Sequence, residues 1–365
     1  MTKLFEPLTL RGVTLPNRIA VSPMCQYTAE DGLANDWHLV HLGTRAVGGA
    51  GLVIAEATAV APEGRISPQD LGIWSETHIA SLARITAFIK SQGAVAGVQL
   101  AHAGRKASTH RPWSGSGAVP MAQGGWEPVA PSAIRFADDY PMPREMSTDD
   151  IAMIPTLFAE AAKRALAAGF ELIELHAAHG YLLHQFLSPI SNRRTDGYGG
   201  SFDNRIRLLL ETIEAVRSVW PAQLPIIVRV SATDWAEAGE GGTAWDADQT
   251  VDLARRMAAL GVDLVDVSSG GMLARAKIPV GPGYQVGFAE RIKRETGMAT
   301  GAVGMITEAS QAAAVVDEGH ADIVLLAREL LRDPYWPLHA AEALGVSPRW
   351  PAQYLRAAPA TAVAR

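Results

Sequence analysis

The sequence has 365 residues, of which 48% are hydrophobic and 19% charged, and its formal net charge is −6 at pH 7. This globular composition argues against nucleic acid or a membrane as a partner, because there is no basic field and no apolar run near the ~20 residues that cross a bilayer. The single cysteine, Cys25, excludes a disulfide framework and any cysteine-rich metal site, and with no signal peptide evident a cytoplasmic protein is expected.

Short apolar runs alternate with amphipathic segments along the chain. After an N-terminal ribbon (4–15), strands are predicted at 19–24, 52–60, 94–101, 172–176, 226–232, 263–268, 298–303 and 323–327. Helices are predicted at 36–47, 76–91, 147–169, 202–219, 246–260, 288–296, 307–318 and 336–344. Eight strand–helix units without a break in composition predict one α/β domain over residues 1–365, a (β/α)8 TIM barrel rather than a doubly wound sheet.

One connection is far longer than the others. Residues 104–146, which follow the third barrel strand, are rich in Gly, Pro and Trp. Long insertions over a barrel mouth commonly act as lids, so we expect this segment, with Trp113 and Trp126, to cover the site. The alternative is a solvent-facing insertion without a role in binding.

The functional side chains of such a barrel lie at the C-terminal ends of its strands. The predicted ends carry residues 23–27, 56–58, Gln99, His102, 176–181, Arg229, 268–270, 303–304 and 327–328. They include no Asp/Glu pair for glycoside hydrolysis, no G-x-S-x-G elbow and no lysine placed for a Schiff base. Because these strand ends offer hydrogen-bond donors and little else, we expect a bound cofactor to carry out the reaction itself.

His176, His179 and Tyr181 leave the end of one predicted strand. Two imidazoles can donate hydrogen bonds to one oxygen while a phenol gives up a proton, which suits polarising a carbonyl group and protonating a neighbouring carbon. The pair could instead bind zinc, but a zinc site needs a third protein ligand, and the sequence offers no nearby His or Cys and only Glu56 among strand-end carboxylates. Two core histidines satisfied by the backbone are the remaining alternative. No metal is therefore expected.

Four motifs together resemble the old yellow enzyme family of flavin-dependent ene-reductases. They are Ser22-Pro23-Met24-Cys25-Gln26-Tyr27, Gln99-Leu100-Ala101-His102-Ala103-Gly104-Arg105-Lys106, His176-x-x-His179-Gly180-Tyr181-Leu182 and Arg194-Thr195-Asp196-x-Tyr198-Gly199-Gly200-Ser201-x-x-Asn204-Arg205. The resemblance covers essentially the whole chain. Cys25 followed by Tyr27 is similar to the thermophilic-like branch of the family.

The resemblance implies FMN held noncovalently at the barrel mouth. Arg229 would face the N1/O2 edge of the flavin and Gln99 its pyrimidine edge; alone, they would read as a salt-bridged interior arginine and a polar strand end. The ring would contact Ser22, Pro23, Met24, Cys25 and Ala57. The phosphate would lie at Val303, Gly304, Ala327 and Arg328, although this branch often has glycine where Ala327 stands.

The resemblance also implies the substrate site. His176 and His179 would hold the carbonyl oxygen of an enone, Tyr181 would protonate Cα, and Tyr27 would be a second phenol touching substrate. Cys25 would lie near flavin N5 and touch substrate; alone, it would read as a small buried hydrophobe. Arg356 would reach a neighbouring subunit's site in a homodimer or homotetramer; alone, it is a charged residue in a frayed tail.

The nicotinamide has no subdomain of its own, because no G-x-G-x-x-G follows a strand. NAD(P)H would bind over the flavin in the pocket later used by substrate, which gives a ping-pong cycle. Three alternatives stay open: a flavin barrel acting on dienoyl thioesters or amines, whose members carry a cysteine cluster and extra domains; a flavin-free barrel lyase or metal-dependent hydrolase; and a flavin-binding redox sensor using Cys25.

Overall fold

The computed structural model describes residues 2–236 and 244–359. Its strands are β1 (Leu8–Leu10), β2 (Val13–Leu15), β3 (Ile19–Val21), β4 (Leu52–Ala59), β5 (Val95–Ala101), β6 (Val129–Ala130), β7 (Arg144–Glu145), β8 (Leu172–Ala177), β9 (Ile226–Ser231), β10 (Leu264–Ser268), β11 (Ala299–Ala302) and β12 (Ile323–Leu326). Eight of them, β3, β4, β5 and β8 to β12, close into a parallel barrel in chain order. The predicted (β/α)8 barrel is confirmed.

The helices that surround this barrel follow its strands. They are α1 (Asp36–Val47), α2 (Ile79–Ser91), α3 (Thr148–Ala167), α4 (Leu182–Leu187), α5 (Phe202–Val219), α6 (Ala247–Ala259), α7 (Val286–Thr296), α8 (Ala309–Asp317), α9 (Arg328–Arg332) and α10 (Trp336–Ala343). The sequence patterns missed α4 and α9. All six residues of α4 are buried, so it shows no amphipathic period, and α9 is only five residues long.

The barrel strands are apolar on both faces because both faces are covered. All eight residues of β4 and all six of β8 are buried. Outward-facing residues such as Val53, Ile173 and Val228 pack against the helices. Inward-facing residues near the strand starts form a second cluster, which contains Leu52, Leu172, Ile227, Leu264 and Ile323 together with Leu10, Val13 and Leu15 of the ribbon.

The ribbon therefore closes the N-terminal end of the barrel. β1 and β2 pair antiparallel, with Leu8 opposite Leu15. Because their apolar side chains fill this end, a ligand can enter only from the C-terminal ends of the strands, where the candidate residues lie.

The insertion at 104–146 contains the short pair β6 and β7 and contacts that open end. The ring of Trp113 meets the ring of Tyr27 edge-on at a centroid distance of 6.0 Å, and Trp126 donates from Nε1 to the carbonyl oxygen of Glu63. Trp113 is 62% exposed, so it lies at the rim. No helix in the described part of the chain is long and apolar enough to cross a membrane.

Candidate functional site

The segment that follows β8 turns back on itself over the barrel mouth. His179 and Gly180 both adopt left-handed backbone conformations, with φ of 57° and 72°. A Cβ atom at Gly180 would lie 2.2 Å from the carbonyl oxygen of Gly271, so only glycine fits between these two loops. This tight turn brings the His179 ring to 5.2 Å from the His176 ring, and the Tyr181 ring to 4.9 Å, between centroids.

The backbone fixes which nitrogen of His176 can donate. The N–H of Ala178 donates to Nδ1 of His176 over 3.3 Å, so Nδ1 is an acceptor and the proton of the neutral ring lies on Nε2. Burial, and then the positive charge of Arg229, lower the pKa of His176 well below 6.5. His176 is therefore a neutral Nε2–H donor at neutral pH.

His179 is held by two serines from the neighbouring strand ends. Its backbone N–H donates to Oγ of Ser231 over 2.9 Å, and its Nε2 lies 2.7 Å from Oγ of Ser268. Burial and the charge of Arg229 also lower the pKa of His179, so the ring is neutral. When the Ser268 hydroxyl donates to Nε2, the proton of His179 lies on Nδ1, and the turn offers two neutral imidazole donors.

Tyr181 lies between the histidines and a partly buried lysine, Lys106. Lys106 donates from Nζ to the carbonyl oxygens of His179 (2.9 Å) and Gly271 (3.2 Å), and Nζ lies 5.1 Å from the centroid of the Tyr181 ring. Burial raises the pKa of the Tyr181 phenol well above 10. The phenol therefore keeps its proton at neutral pH and can act as an acid. Burial, with the neighbouring Arg105, lowers the pKa of Lys106 to about 7.

Cys25 and Tyr27 lie in residues 22–27, which leave the barrel after β3, although the sequence predicted this strand to continue to residue 24. Tyr27 adopts a φ of 51°. The Tyr27 side chain and the backbone of Ala57 lie beside the Cys25 thiol, and both act to lower its pKa. Burial, and then Asp70 and Glu56, raise the pKa of this thiol, so the reactive thiolate is disfavoured.

Arg229 and Gln99 lie inside the barrel below these residues. Arg229 is 5% exposed, donates from Nη1 to Oγ of Ser22 over 2.9 Å, and has its Nε 3.2 Å from Oδ2 of Asp266. Gln99 donates from Nε2 to Oε1 of Glu174 over 2.6 Å, which leaves its Oε1 as the acceptor that a ligand can use.

A cavity of about 460 Å³ opens beside β11 and β12. Its lining includes the four residues predicted to hold a phosphate, which are Val303, Gly304, Ala327 and Arg328. Gly304 has a φ of 122°, and a Cβ atom there would lie 2.8 Å from Nε2 of Gln285. The backbone at Gly304 therefore approaches the cavity at a place that a side chain would fill.

Arg356 is not near the other predicted residues. It is exposed in a 3-10 segment, Ala352–Ala357. Neighbouring tail residues, including Trp350 and Gln353, line a second cavity with Asn17, Gly49 and Gln92. Those three precede barrel strands, so the tail lies at the closed, N-terminal end of its own barrel. The assignment of Arg356 to a neighbouring subunit's site stays a prediction.

Three residues of this region were missed by the sequence reasoning. Ser268 was named only as a strand end, without its contact to His179. Glu174 and Asp266 are buried acids that lie within apolar strands, before the strand ends where catalytic carboxylates are expected. The alternation of side chains along a strand could have indicated Glu174. It precedes His176 by two positions, so both residues face the barrel interior. Among the described residues, no group of three or more His, Cys, Asp or Glu side chains could hold a metal ion.

Comparison with known proteins identifies the family. The family model for NADH:flavin oxidoreductase / NADH oxidase matches residues 3–346. An NADPH dehydrogenase of Geobacillus sp. (strain WCH70) is 51% identical over 357 residues, which cover 97% of this chain and 98% of that protein. The old yellow enzyme homologue from Zymomonas mobilis has a TM-score of 0.79 and 26% identity, covering 94% of each chain.

A third relative is much longer than this chain. The 2-naphthoyl-CoA reductase has a TM-score of 0.84 and 26% identity, and the match covers 93% of this chain but 52% of that one. The resemblance to the old yellow enzymes is confirmed, and the expected FMN and NAD(P)H are confirmed with it. These cofactors exclude the flavin-free lyase and hydrolase. This chain belongs to the NADH:flavin oxidoreductase / NADH oxidase family.

Proposed function

We propose that this oxidoreductase reduces the activated C=C bond of α,β-unsaturated ketones and aldehydes, and related acceptors such as nitro compounds, in a ping-pong cycle with NAD(P)H. The observation that carries the proposal is the pair of neutral imidazoles, His176 and His179, beside a protonated phenol, Tyr181. This set of groups suits an oxygen that gains negative charge while a nearby carbon gains a proton.

The residues present fit FMN. The cavity beside β11 and β12 offers a close backbone approach at Gly304 and the exposed guanidinium of Arg328, both suited to a phosphate dianion. Arg229 supplies a fixed buried cation, and Gln99 an oriented amide, both suited to the polar edge of a flavin. We assign the ring contacts to Ser22, Pro23, Met24, Cys25 and Ala57, and the phosphate contacts also to Val303 and Ala327.

A bound FMN would supply the redox chemistry of the cycle, which is hydride transfer from NAD(P)H to the β-carbon of the enone. His176, through Nε2–H, and the neutral ring of His179 donate to the carbonyl oxygen and stabilise the negative charge that develops there. Tyr181 then gives its proton to Cα and recovers one from solvent. The partly buried thiol of Cys25 and the phenol of Tyr27 line the substrate's side of the pocket.

The tail arginine belongs to the same proposal. Arg356 lies at the far end of its own barrel, so it can serve a site only in another copy of the chain. We assign it to substrate binding across the interface of a homodimer or homotetramer.

One experiment tests FMN binding and enone reduction separately. Purified protein should be yellow and contain about one FMN per chain; anaerobic NADPH should bleach it, and cyclohexenone should restore the colour. Cyclohexanone, which lacks the C=C bond, is the matched control and should not. Colourless protein that refuses FMN would overturn the whole proposal. A bleached protein that cyclohexenone cannot reoxidise would overturn the enone assignment alone.

A redox sensor built on Cys25 is less well supported. Sensor cysteines need an accessible thiolate, whereas burial keeps this thiol protonated. Steady turnover of cyclohexenone with NADPH would decide against that role.

A further inference from the structure

A layer of four polar residues crosses the barrel interior. Gln99 on β5 pairs in register with Glu174 on β8, and Arg229 on β9 pairs with Asp266 on β10. Both carboxyl groups are 0% exposed and Arg229 is 5% exposed. The layer thus brings two acids and one guanidinium into a part of the barrel closed to solvent.

The charges in this layer do not balance when both acids are ionised. Two negative charges then face one positive charge in a dry interior, where an uncompensated charge is strongly unfavourable. Asp266 has the guanidinium as its partner, with Nε of Arg229 3.2 Å from Oδ2. The hydrogen-bond donor to Glu174 is the neutral amide of Gln99, whose Nε2 lies 2.6 Å from Oε1.

The hydrogen bonds in the layer are incomplete for the same reason. Apart from the ion pair with Arg229, Oε2 of Glu174 and both carboxylate oxygens of Asp266 are buried without a hydrogen-bond donor. Buried polar atoms are nearly always paired, so three such oxygens in one place require an explanation. The carboxyl groups of Glu174 and Asp266 act on one another strongly enough that each shifts the pKa of the other, and two carboxyl groups can share a hydrogen bond only when one of them carries a proton.

We propose that Glu174 is a neutral carboxylic acid that donates to the ionised Asp266, and that this acid pair is a positioning device for the flavin site. One proton completes the layer: Oε1 of Glu174 accepts from Gln99, its O–H donates to Asp266, and Asp266 balances Arg229. Burial and then the neighbouring Asp266 raise the pKa of Glu174, in agreement with this arrangement.

The consequences reach the cofactor through the two residues that the layer holds. Glu174 occupies Nε2 of Gln99 and so turns Oε1 of that amide toward the ligand. Asp266 sets how much of the positive charge of Arg229 remains uncompensated. The effect on FMN rests on the proposed function, which places Gln99 and Arg229 at the polar edge of the flavin. The location of the proton on Glu174 does not depend on that placement.

Infrared spectroscopy tests the proton directly. A neutral carboxyl group shows a carbonyl band that shifts in D2O, and wild-type protein should show one that Glu174→Gln removes. Asp70→Asn is the control, because burial also raises the pKa of Asp70. A wild-type spectrum with no such band beyond that of Asp70 would overturn the proposal without any Glu174 variant having to fold, and so would a band that survives Glu174→Gln.

The flavin midpoint potential tests the function of the pair in the FMN-loaded protein. Glu174→Gln preserves the acceptor and the donor of a neutral acid and should leave the potential unchanged. Asp266→Asn removes the counter-charge of Arg229 and should shift the potential to a more positive value. Equal shifts in both variants would overturn the assignment. Protein that binds no FMN would overturn the proposed function, while the infrared result would still decide the location of the proton.

Discussion

The ring of Tyr181 lies edge-on to the ring of His176, with centroids 4.9 Å apart and planes at 79°. His176 is in β8, whereas Tyr181 follows the turn at His179 and Gly180, so the contact depends on two consecutive left-handed residues. Because the contact is between rings, the phenol hydroxyl is not needed to hold it. Substitutions that remove only the hydroxyl should therefore leave the turn in place.

Tyr181→Phe should slow reoxidation of the reduced enzyme by cyclohexenone by roughly 10²- to 10⁴-fold, the usual contribution of a positioned general acid. The anaerobic rate of reduction by NADPH should not change, because no proton is transferred to carbon in that half-reaction. Stopped-flow absorbance of the flavin measures both rates. Tyr198→Phe removes a hydroxyl that donates to Glu211 rather than to any proposed site residue, so it is the matched control and should retain the reoxidation rate. An unchanged rate in Tyr181→Phe would mean that solvent supplies the proton.

His176→Ala should reduce the reoxidation rate by about 10²- to 10³-fold, since one of two donors to the developing charge is lost. His176→Gln should lose less, because an amide N–H can take over the donor role of Nε2. Burial keeps the wild-type ring neutral, so the reoxidation rate should show no step near pH 6.5. Stopped-flow rates at a series of pH values measure all three. Equal losses in the alanine and glutamine variants would contradict the donor role.

The barrel and its open end could be predicted from the sequence because both depend on local patterns. Apolar runs alternating with amphipathic segments specify strands and helices, and a parallel barrel places its site at the strand ends. Contacts between distant segments leave no such pattern. Ser268 lies 89 residues from His179, and only the closed barrel brings its hydroxyl to 2.7 Å from the ring.

The contact between the two interior acids could not be predicted from the sequence either. Glu174 and Asp266 each look anomalous in an apolar strand, but neither strand indicates that the other carries a matching acid. The short helix α4 was missed because every residue in it is buried, which removes the amphipathic signal. Sequence periodicity indicates which face of a helix meets solvent, so it gives no signal for a helix that has no solvent-exposed face.

Gly304→Val should weaken FMN binding by about tenfold or more, because a β-branched residue at a φ of 122° is strained by about 1–3 kcal/mol and must be accommodated by moving the cavity wall. The new Cβ atom would lie 2.8 Å from Nε2 of Gln285 and 3.0 Å from the Tyr284 ring. Fluorescence titration of flavin-free protein with FMN measures the Kd. Gly281→Ala, which has open space around its Cβ position, is the control and should bind FMN normally.

His102→Asn should make the protein less sensitive to acid. His102 is 2% exposed, its Nδ1 accepts from the N–H of Gly104 over 3.1 Å, and burial lowers its pKa to about 4. Between pH 6.5 and 4 the unfolded chain binds a proton at this residue that the folded chain refuses, so stability falls as pH falls. At pH 5 this amounts to about 2 kcal/mol relative to pH 7.5. Asparagine keeps the acceptor but cannot titrate. In urea unfolding at the two pH values, the wild type should therefore lose about 2 kcal/mol more than the variant; equal losses would show that His102 protonates as readily in the folded protein as in the unfolded chain.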